Sequence, residues 1–208
     1  AATSSNYKSF NALFRDLNNG GRNDGGTSNG AGISGPIVID VVSGSGPYTE
    51  QVTINQYSGI SSTNSIKING NGNILQFTAT SSAASHTLLL DGADFITIEN
   101  LTILANSTSM GRCVHLMNDA RSNTLNKCTF QMPNMTGTST ANAYVCLTQG
   151  TSTMQTYGAA GQDNLITGCT MSSVTNGGPY SAVAVMDAST GSVVRKNTIS
   201  NNKISNFR

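Results

Sequence analysis

The octet Ile96–Ile103, ITIENLTI, returns in related form as NTLNKCTF (123–130), NLITGCTM (164–171) and SVVRKNTI (192–199). Apolar and polar residues alternate on both sides of a central pair, which ends in Asn or Gly in two copies. These residue types tolerate a left-handed backbone. The copies align in three columns: Ile98, Leu125, Ile166 and Val194; Leu101, Cys128, Cys169 and Asn197; Ile103, Phe130, Met171 and Ile199. Each copy thus reads as a strand, a tight turn and a second strand. The stacking of these copies on one another predicts an all-β fold, a parallel β-helix.

The residues before the octets predict how this solenoid begins. Apolar residues recur there at helical spacing: Phe10, Leu13, Phe14 and Leu17. Ser9 is the predicted N-cap, and Asn19–Gly21 ends the helix. We therefore predict two regions. Residues 1–35 form a capping helix and a Gly/Asn-rich loop, in which Phe10, Phe14 and Leu17 cover the first rung. Residues 36–208 form the β-helix, open at its C-terminal end.

The octets resemble the repeats of right-handed parallel β-helix proteins. Together with the leading Y-x-S-F-x-x-L, the segment GPIVIDV (35–41) and DGADFITIENLTI (91–103), the chain is similar to β-helix modules of large secreted or cell-surface proteins of the Bacteroidetes type. The resemblance implies a right-handed solenoid, a secreted or cell-surface location and export by type IX secretion. It implies little about function, because this fold carries lyases, hydrolases, adhesins and fibres.

The composition argues against two classes of partner. Only 10% of residues are charged, and 11 basic residues nearly balance 10 acidic ones. Nucleic acid selects a basic face, and a membrane span needs roughly 20 consecutive apolar residues. We therefore predict neither nucleic-acid binding nor membrane insertion. Ala1 in place of a start methionine predicts a chain processed or excised from a larger product.

Carboxylates are the first candidate site. Asp91, Asp119 and Asp187 each follow the first strand of a rung, and polysaccharide lyases of this shape bind Ca²⁺ through stacked acids with an Arg or Lys as base. Arg195 would be that base, in an outward column with Glu99, Asn126 and Thr167. The alternative interpretation, which we favour, is that these aspartates bond to their own turns. No cofactor is then expected.

Histidine and cysteine give a second set of candidates. His115 is predicted to point outward with Cys146 beside it, either as base and nucleophile or half of a zinc site, or as a solvated His beside a partly covered Cys. His86 is predicted to be a lone loop residue. Cys128 and Cys169 are predicted to stack inside, as a disulfide or, preferably, as a ladder of free thiols. Asn197 would continue that ladder through hydrogen bonds.

The loops 151–161 and 176–180 predict a contact surface. They interrupt the same or adjacent rungs and carry Tyr157 and Tyr180, flat rings suited to glycans or partner proteins. Two functions remain open at this point. The preferred one is a non-catalytic structural or adhesive module of an extracellular surface protein or filament, with further rungs or another chain at its C-terminal end. The alternative is a polysaccharide lyase or glycoside hydrolase using Asp91, Asp119, Asp187 and Arg195.

Overall fold

The structure, a computed structural model, describes residue 3 and residues 5–153, 160–173, 177–186 and 196–207. One helix, α1 (Phe10–Asn19), precedes a long series of short strands. In chain order the strands are β1 (Ile37–Asp40), β2 (Tyr48–Thr49), β3 (Val52–Asn55), β4 (Ile66–Asn69), β5 (Ile74–Phe77), β6 (His86–Asp91), β7 (Ile96–Glu99), β8 (Thr102–Ala105), β9 (Arg112–Met117), β10 (Ala120–Arg121), β11 (Thr124–Asn126), β12 (Thr129–Met132), β13 (Ala143–Leu147), β14 (Gly161–Gln162), β15 (Leu165–Thr167), β16 (Thr170–Ser173), β17 (Ser181–Val185), β18 (Thr198–Ser200) and β19 (Lys203–Ile204).

These strands form parallel sheets that the chain visits in rotation. Sheet A has the order β1-β4-β7-β11-β15-β18, sheet B has β2-β5-β8-β12-β16-β19, and sheet C has β3-β6-β9-β13-β17. A two-stranded sheet, β10-β14, lies between sheets C and A along the chain. The fold is therefore all-β, a parallel β-helix with one helix at its start, as the repeat predicted.

The octets account for the core between sheets A and B. Ile98, Leu125 and Ile166 pair in register along sheet A, and all three are buried. Ile103, Phe130 and Met171 do the same along sheet B. Left-handed residues make the turn between the two sheets, at Asn100, Lys127 and Gly168 (φ of 52°, 53° and 64°). For these three copies the predicted columns are confirmed.

The last rung is displaced by five residues from its prediction. Ile166 pairs with Ile199, and Met171 pairs with Ile204 and not with Ile199; Val194, predicted beside Ile166, lies outside the described residues. Asn202 continues the column of Cys128 and Cys169, where Asn197 was predicted: its Oδ1 accepts a hydrogen bond from the Cys169 N–H at 2.8 Å. The octet that truly matches the others is Asn197–Ile204, NTISNNKI.

A ladder of asparagines, buried at Asn123 and Asn164 and half-buried at Asn197, fixes that register. Asn123, Asn164 and Asn197 each precede a strand of sheet A. The Asn164 Oδ1 accepts from the Asn123 N–H and Nδ2 at 3.0 and 3.1 Å. The Asn197 Oδ1 accepts from the Asn164 N–H and Nδ2, both at 3.0 Å. Each Nδ2 also donates to a backbone carbonyl of the preceding rung: that of Asn123 to Ala93, that of Asn164 to Ala120 and that of Asn197 to Gly161. Asn197 therefore does bond along a stack, but in a different column from the one predicted.

Helix α1 covers the first rung. Ser9 caps it by accepting from the Ala12 N–H, and Gly20, with φ of 69°, ends it. Phe10 meets the ring of Tyr48 edge-on at 5.1 Å, and Phe14 stacks on Tyr57 at 6.5 Å. Phe10, Leu13, Phe14 and Leu17 are all buried in the main core.

A buried carboxylate ties the loop after α1 to the helix. Asp16 accepts hydrogen bonds from the Asn29 N–H, the Ser28 hydroxyl and the Tyr7 hydroxyl. Burial alone would raise the pKa of Asp16, but these three bonds outweigh it and hold the pKa below its usual value. The Glu50 carboxylate accepts from the N–H groups of Phe10 and Asn11, which anchors the start of the helix.

Candidate functional site

The predicted aspartate column does not assemble. Asp91 pairs with Met117 and not with Asp119, which lies in a turn with φ of 63°. Asp91 accepts from Asn118 Nδ2 at 2.5 Å, and Asp119 forms an ion pair with Arg121. Asp187 and Arg195 lie outside the described residues. Asp91 is thus bonded to the turn of the next rung, and Asp119 is engaged within its own turn.

The outward column beside the sheet A–B turn also differs from its prediction. Glu99, Asn126 and Thr167 follow one another, but the next member is Ser200 where Arg195 was expected. Glu99 forms an ion pair with Lys67 at 3.0 Å and accepts from Asn126 Nδ2 at 3.3 Å. The bond to Lys67 is the main reason that the pKa of Glu99 is lowered. Glu99 is therefore part of a polar ladder and does not belong to a pair of free carboxylates.

The prediction of a solvated His115 is wrong. The outer face of sheet C carries Arg112 and His115, and both side chains are almost fully buried (0% and 1% exposed). The segment after β13 covers them. Arg112 donates to the carbonyls of Gly150 at 2.6 Å, Ala141 at 3.2 Å and Thr153 at 3.3 Å. Alternation within a strand predicted the outward direction correctly, but a covering segment, not solvent, lies on that side.

The hydrogen bonds of His115 define its tautomer. Arg112 Nη1 lies 3.3 Å from His115 Nδ1, and His115 Nε2 lies 2.8 Å from the Thr148 carbonyl oxygen. A guanidinium only donates and a carbonyl only accepts, so Nδ1 accepts and Nε2–H donates. His86, predicted as a lone loop residue, begins β6 and places its ring 6.4 Å from that of His115.

This arrangement makes stability depend on pH. Burial, followed by the charge of Arg112, lowers the pKa of His115 to about 3 and that of His86 to about 4; Asp91 opposes the shift of His86. The unfolded chain takes up these protons near pH 6.5, so the free energy of unfolding falls as the pH drops below that value. His115→Gln keeps one donor and one acceptor without titrating. We expect it to match the wild type at pH 7 and to lose less stability at pH 4.5, measured by urea unfolding. An identical pH dependence would contradict this assignment.

The cysteines are unsuited to the nucleophilic role considered for Cys146. All four are free and buried. Cys146 does pair with His115 across β13 and β9, but burial raises its pKa to about 11. The thiol, not the thiolate, is therefore the form present at neutral pH. Cys128 and Cys169 stack inside as free thiols, each bonded to backbone carbonyls. Among the described residues, no three His, Cys, Asp or Glu side chains lie close enough to hold a metal ion.

Of the two tyrosines of the predicted contact surface, the structure describes Tyr180. Tyr157 lies outside the described residues. Tyr180 is half exposed and lies directly before β17. The neighbouring Gly177–Pro179 stretch is buried, and the Gly178 N–H donates to the Met135 carbonyl at 2.9 Å. The structure therefore presents Tyr180 from a well-anchored support.

Exposed apolar side chains gather at the two ends of the described solenoid. Val38 and Val42 lie at or just beyond the first strand, and Tyr180, Val185, Ile199, Ile204 and Phe207 lie on or beside the last three strands. Beside β1 there is also a cavity of about 650 Å³, lined by residues 5–10 and 37–42 together with Leu13, Leu17, Asn29, Ser45 and Tyr48. The sequence predicted neither this cavity nor the buried Arg112. The available signal for the cavity was the apolar pair Val38 and Val42, which is exposed in and just after β1.

Comparison with protein-family models, with curated proteins and with solved structures found no match to this chain. No helix among the described residues is long and apolar enough to cross a membrane.

Proposed function

We propose that the chain is a non-catalytic structural and adhesive module of an extracellular surface protein or filament, whose loops contact a glycan or a protein. One observation carries this proposal: the large apolar side chains that the described residues expose lie at the ends of the solenoid and not along its sides. Exposed apolar patches on a soluble protein mark contact surfaces. The extracellular location and type IX export rest on the resemblance of the octets to surface β-helix modules.

The C-terminal end is the proposed junction with another polypeptide. β17, β18 and β19 are the last strands of sheets C, A and B, and no strand among the described residues pairs with their outer edges. Ile199 and Ile204 continue the inward columns of Ile166 and Met171 but are 46% and 40% exposed. Further rungs or another chain would cover both. Measuring the mass of the native polypeptide under denaturing conditions separates the two, because further rungs require a mass well above 21.6 kDa.

Tyr180 is the described residue that we propose for contact with a glycan or partner. We expect Tyr180→Ala to weaken binding to immobilised surface polysaccharide about tenfold, because an aromatic anchor contributes most where it is displayed rigidly. Tyr180→Phe, which keeps the ring, is the matched control and should bind like the wild type. Equal binding by all three proteins would remove Tyr180 from the proposed contact surface.

The alternative function, a polysaccharide lyase or glycoside hydrolase, is tested by turnover. A lyase would release unsaturated sugar from uronate polymers in the presence of Ca²⁺, and Asp91→Asn and Asp119→Asn would abolish that release. Turnover by the parent chain that these variants lose would overturn the non-catalytic proposal. Polysaccharide binding without turnover would support it.

A further inference from the structure

The first strand of sheet A has a free edge. β1 pairs only with β4. The Ile37 N–H donates to Ser65 and the Val41 N–H donates to Asn69, at 2.9 and 3.0 Å. Alternate residues of a parallel strand turn their N–H and C=O groups to opposite sides, so Val38 and Asp40 present theirs to the free edge. None of the described residues pairs with these groups.

The cavity of about 650 Å³ lies against this edge. Its volume falls within the range of roughly 300–1,000 Å³ that is typical of ligand sites. On one side the half-buried Ile37 and Ile39 contribute to it, and on the other side Phe10, Leu13 and Leu17 of α1 do. Val38 and Val42 are 65% and 70% exposed at its rim. The cavity thus combines an apolar lining with a row of unpaired backbone groups.

Helix α1 limits what can enter. The helix packs on β3, and Phe10 contacts Tyr48 of β2, so α1 occupies the space where another rung would stack on sheets B and C. Only sheet A remains open to extension at this end. A single extended segment fits this restriction, whereas a second complete solenoid does not. The charged lining residues are Lys8 and Asp40, of opposite sign, which favours a segment without net charge.

We propose that this cavity binds one extended, uncharged segment of a partner polypeptide, which adds to β1 as an extra strand of sheet A. Backbone bonds to Val38 and Asp40 hold the segment. Apolar side chains at its alternate positions continue the inward column of Ile37 and Ile39 toward Leu13 and Leu17. This site is separate from the proposed glycan surface at Tyr180 and does not depend on it.

The test uses the full chain and a fluorescent, acetylated hexapeptide in which threonine and valine alternate. Two N-methylated versions block the amides of either alternate set, so only one version blocks the groups that face β1. We expect the parent peptide to bind and one methylated version to bind at least about tenfold more weakly, with the other unchanged. On the protein, Val38→Pro removes the free-edge N–H while leaving the bonds of β1 to β4 intact, as proline is tolerated on edge strands. It should cause a similar loss, and Val38→Thr should not.

Several results would overturn the proposal. No binding of the parent peptide up to about 1 mM is one, and equal binding of both methylated peptides is another. Undiminished binding by a folded Val38→Pro protein is a third, with circular dichroism as the folding control; if that variant does not fold, the pair of methylated peptides decides. Sedimentation of the free chain tests the remaining alternative, that a second copy of the chain fills the cavity. A dimer that Val38→Pro dissociates would mean that a second copy, not a partner segment, fills the cavity.

Discussion

Replacing Asn164 by Ala is expected to lower the free energy of unfolding by about 3 kcal/mol, because the buried Asn164 is the central member of the asparagine ladder. Its side chain accepts from the N–H and Nδ2 of Asn123 and donates both to Asn197 and to the Ala120 carbonyl. Alanine removes the partner of these groups, and at the buried Asn123 each lost hydrogen bond costs desolvation energy. Urea unfolding followed by circular dichroism measures the change.

Asn126→Ala is the matched control for this prediction. Asn126 lies two residues before Cys128 on the outward side of sheet A and donates to Glu99 at 3.3 Å. Because solvent can replace that partner, we expect a loss of about 0.5 kcal/mol or less. Equal losses in the two variants would mean that the inward ladder contributes no more than the outward one.

The asparagine ladder also shows which part of the fold could not be predicted from the sequence, namely the register of the last rung. The octets predicted strands, turns and inward columns correctly for three rungs, since a period of two and a left-handed turn residue are local signals. The fourth copy was placed five residues too early because Val194 and Ile199 both fit an apolar inward position. Rung length gave no guidance: from Ile96 to Asn123, to Asn164 and to Asn197 the separations are 27, 41 and 33 residues. Bonds between rungs set the register, and the leading Asn of the last three octets, at Asn123, Asn164 and Asn197, was the sign of these bonds in the sequence.

The candidate sites were less predictable than the fold for a related reason. Alternation along a strand tells which side a residue faces, but not what lies on that side. His115 was correctly directed outward and wrongly placed in solvent, because the segment after β13 folds back over sheet C. Likewise, Asp91 and Asp119 follow successive strands but differ in register: Asp91 bonds to Asn118 of the next rung, and Asp119 pairs with Arg121. Packing of long insertions against a sheet depends on contacts far apart in the chain, and no local pattern encodes it.

Arg112→Met is expected to cost about 3 kcal/mol of unfolding free energy and to loosen the segment that covers sheet C. Replacing a complete buried ion pair by apolar residues is often neutral, since both charges disappear together. Here, besides His115 Nδ1, the acceptors include the backbone carbonyls of Ala141, Gly150 and Thr153, which no side-chain substitution removes. Methionine fills much of the arginine volume, so the loss reports the missing hydrogen bonds more than a cavity. Urea unfolding gives the energy, and limited proteolysis should cut earlier within residues 148–153.

Arg121→Met provides the comparison, because it makes the same substitution on the neighbouring strand β10. The Arg121 side chain is 48% exposed and pairs with Asp119 at the surface. Exposed ion pairs contribute little, so we expect a change of about 0.5 kcal/mol and unaltered proteolysis. If Arg112→Met behaved like Arg121→Met, the covering segment would be held by its own packing, and Arg112 would not stabilise it. A large difference between the two variants would show that Arg112 holds the covering segment on the outer face of sheet C, which buries that face.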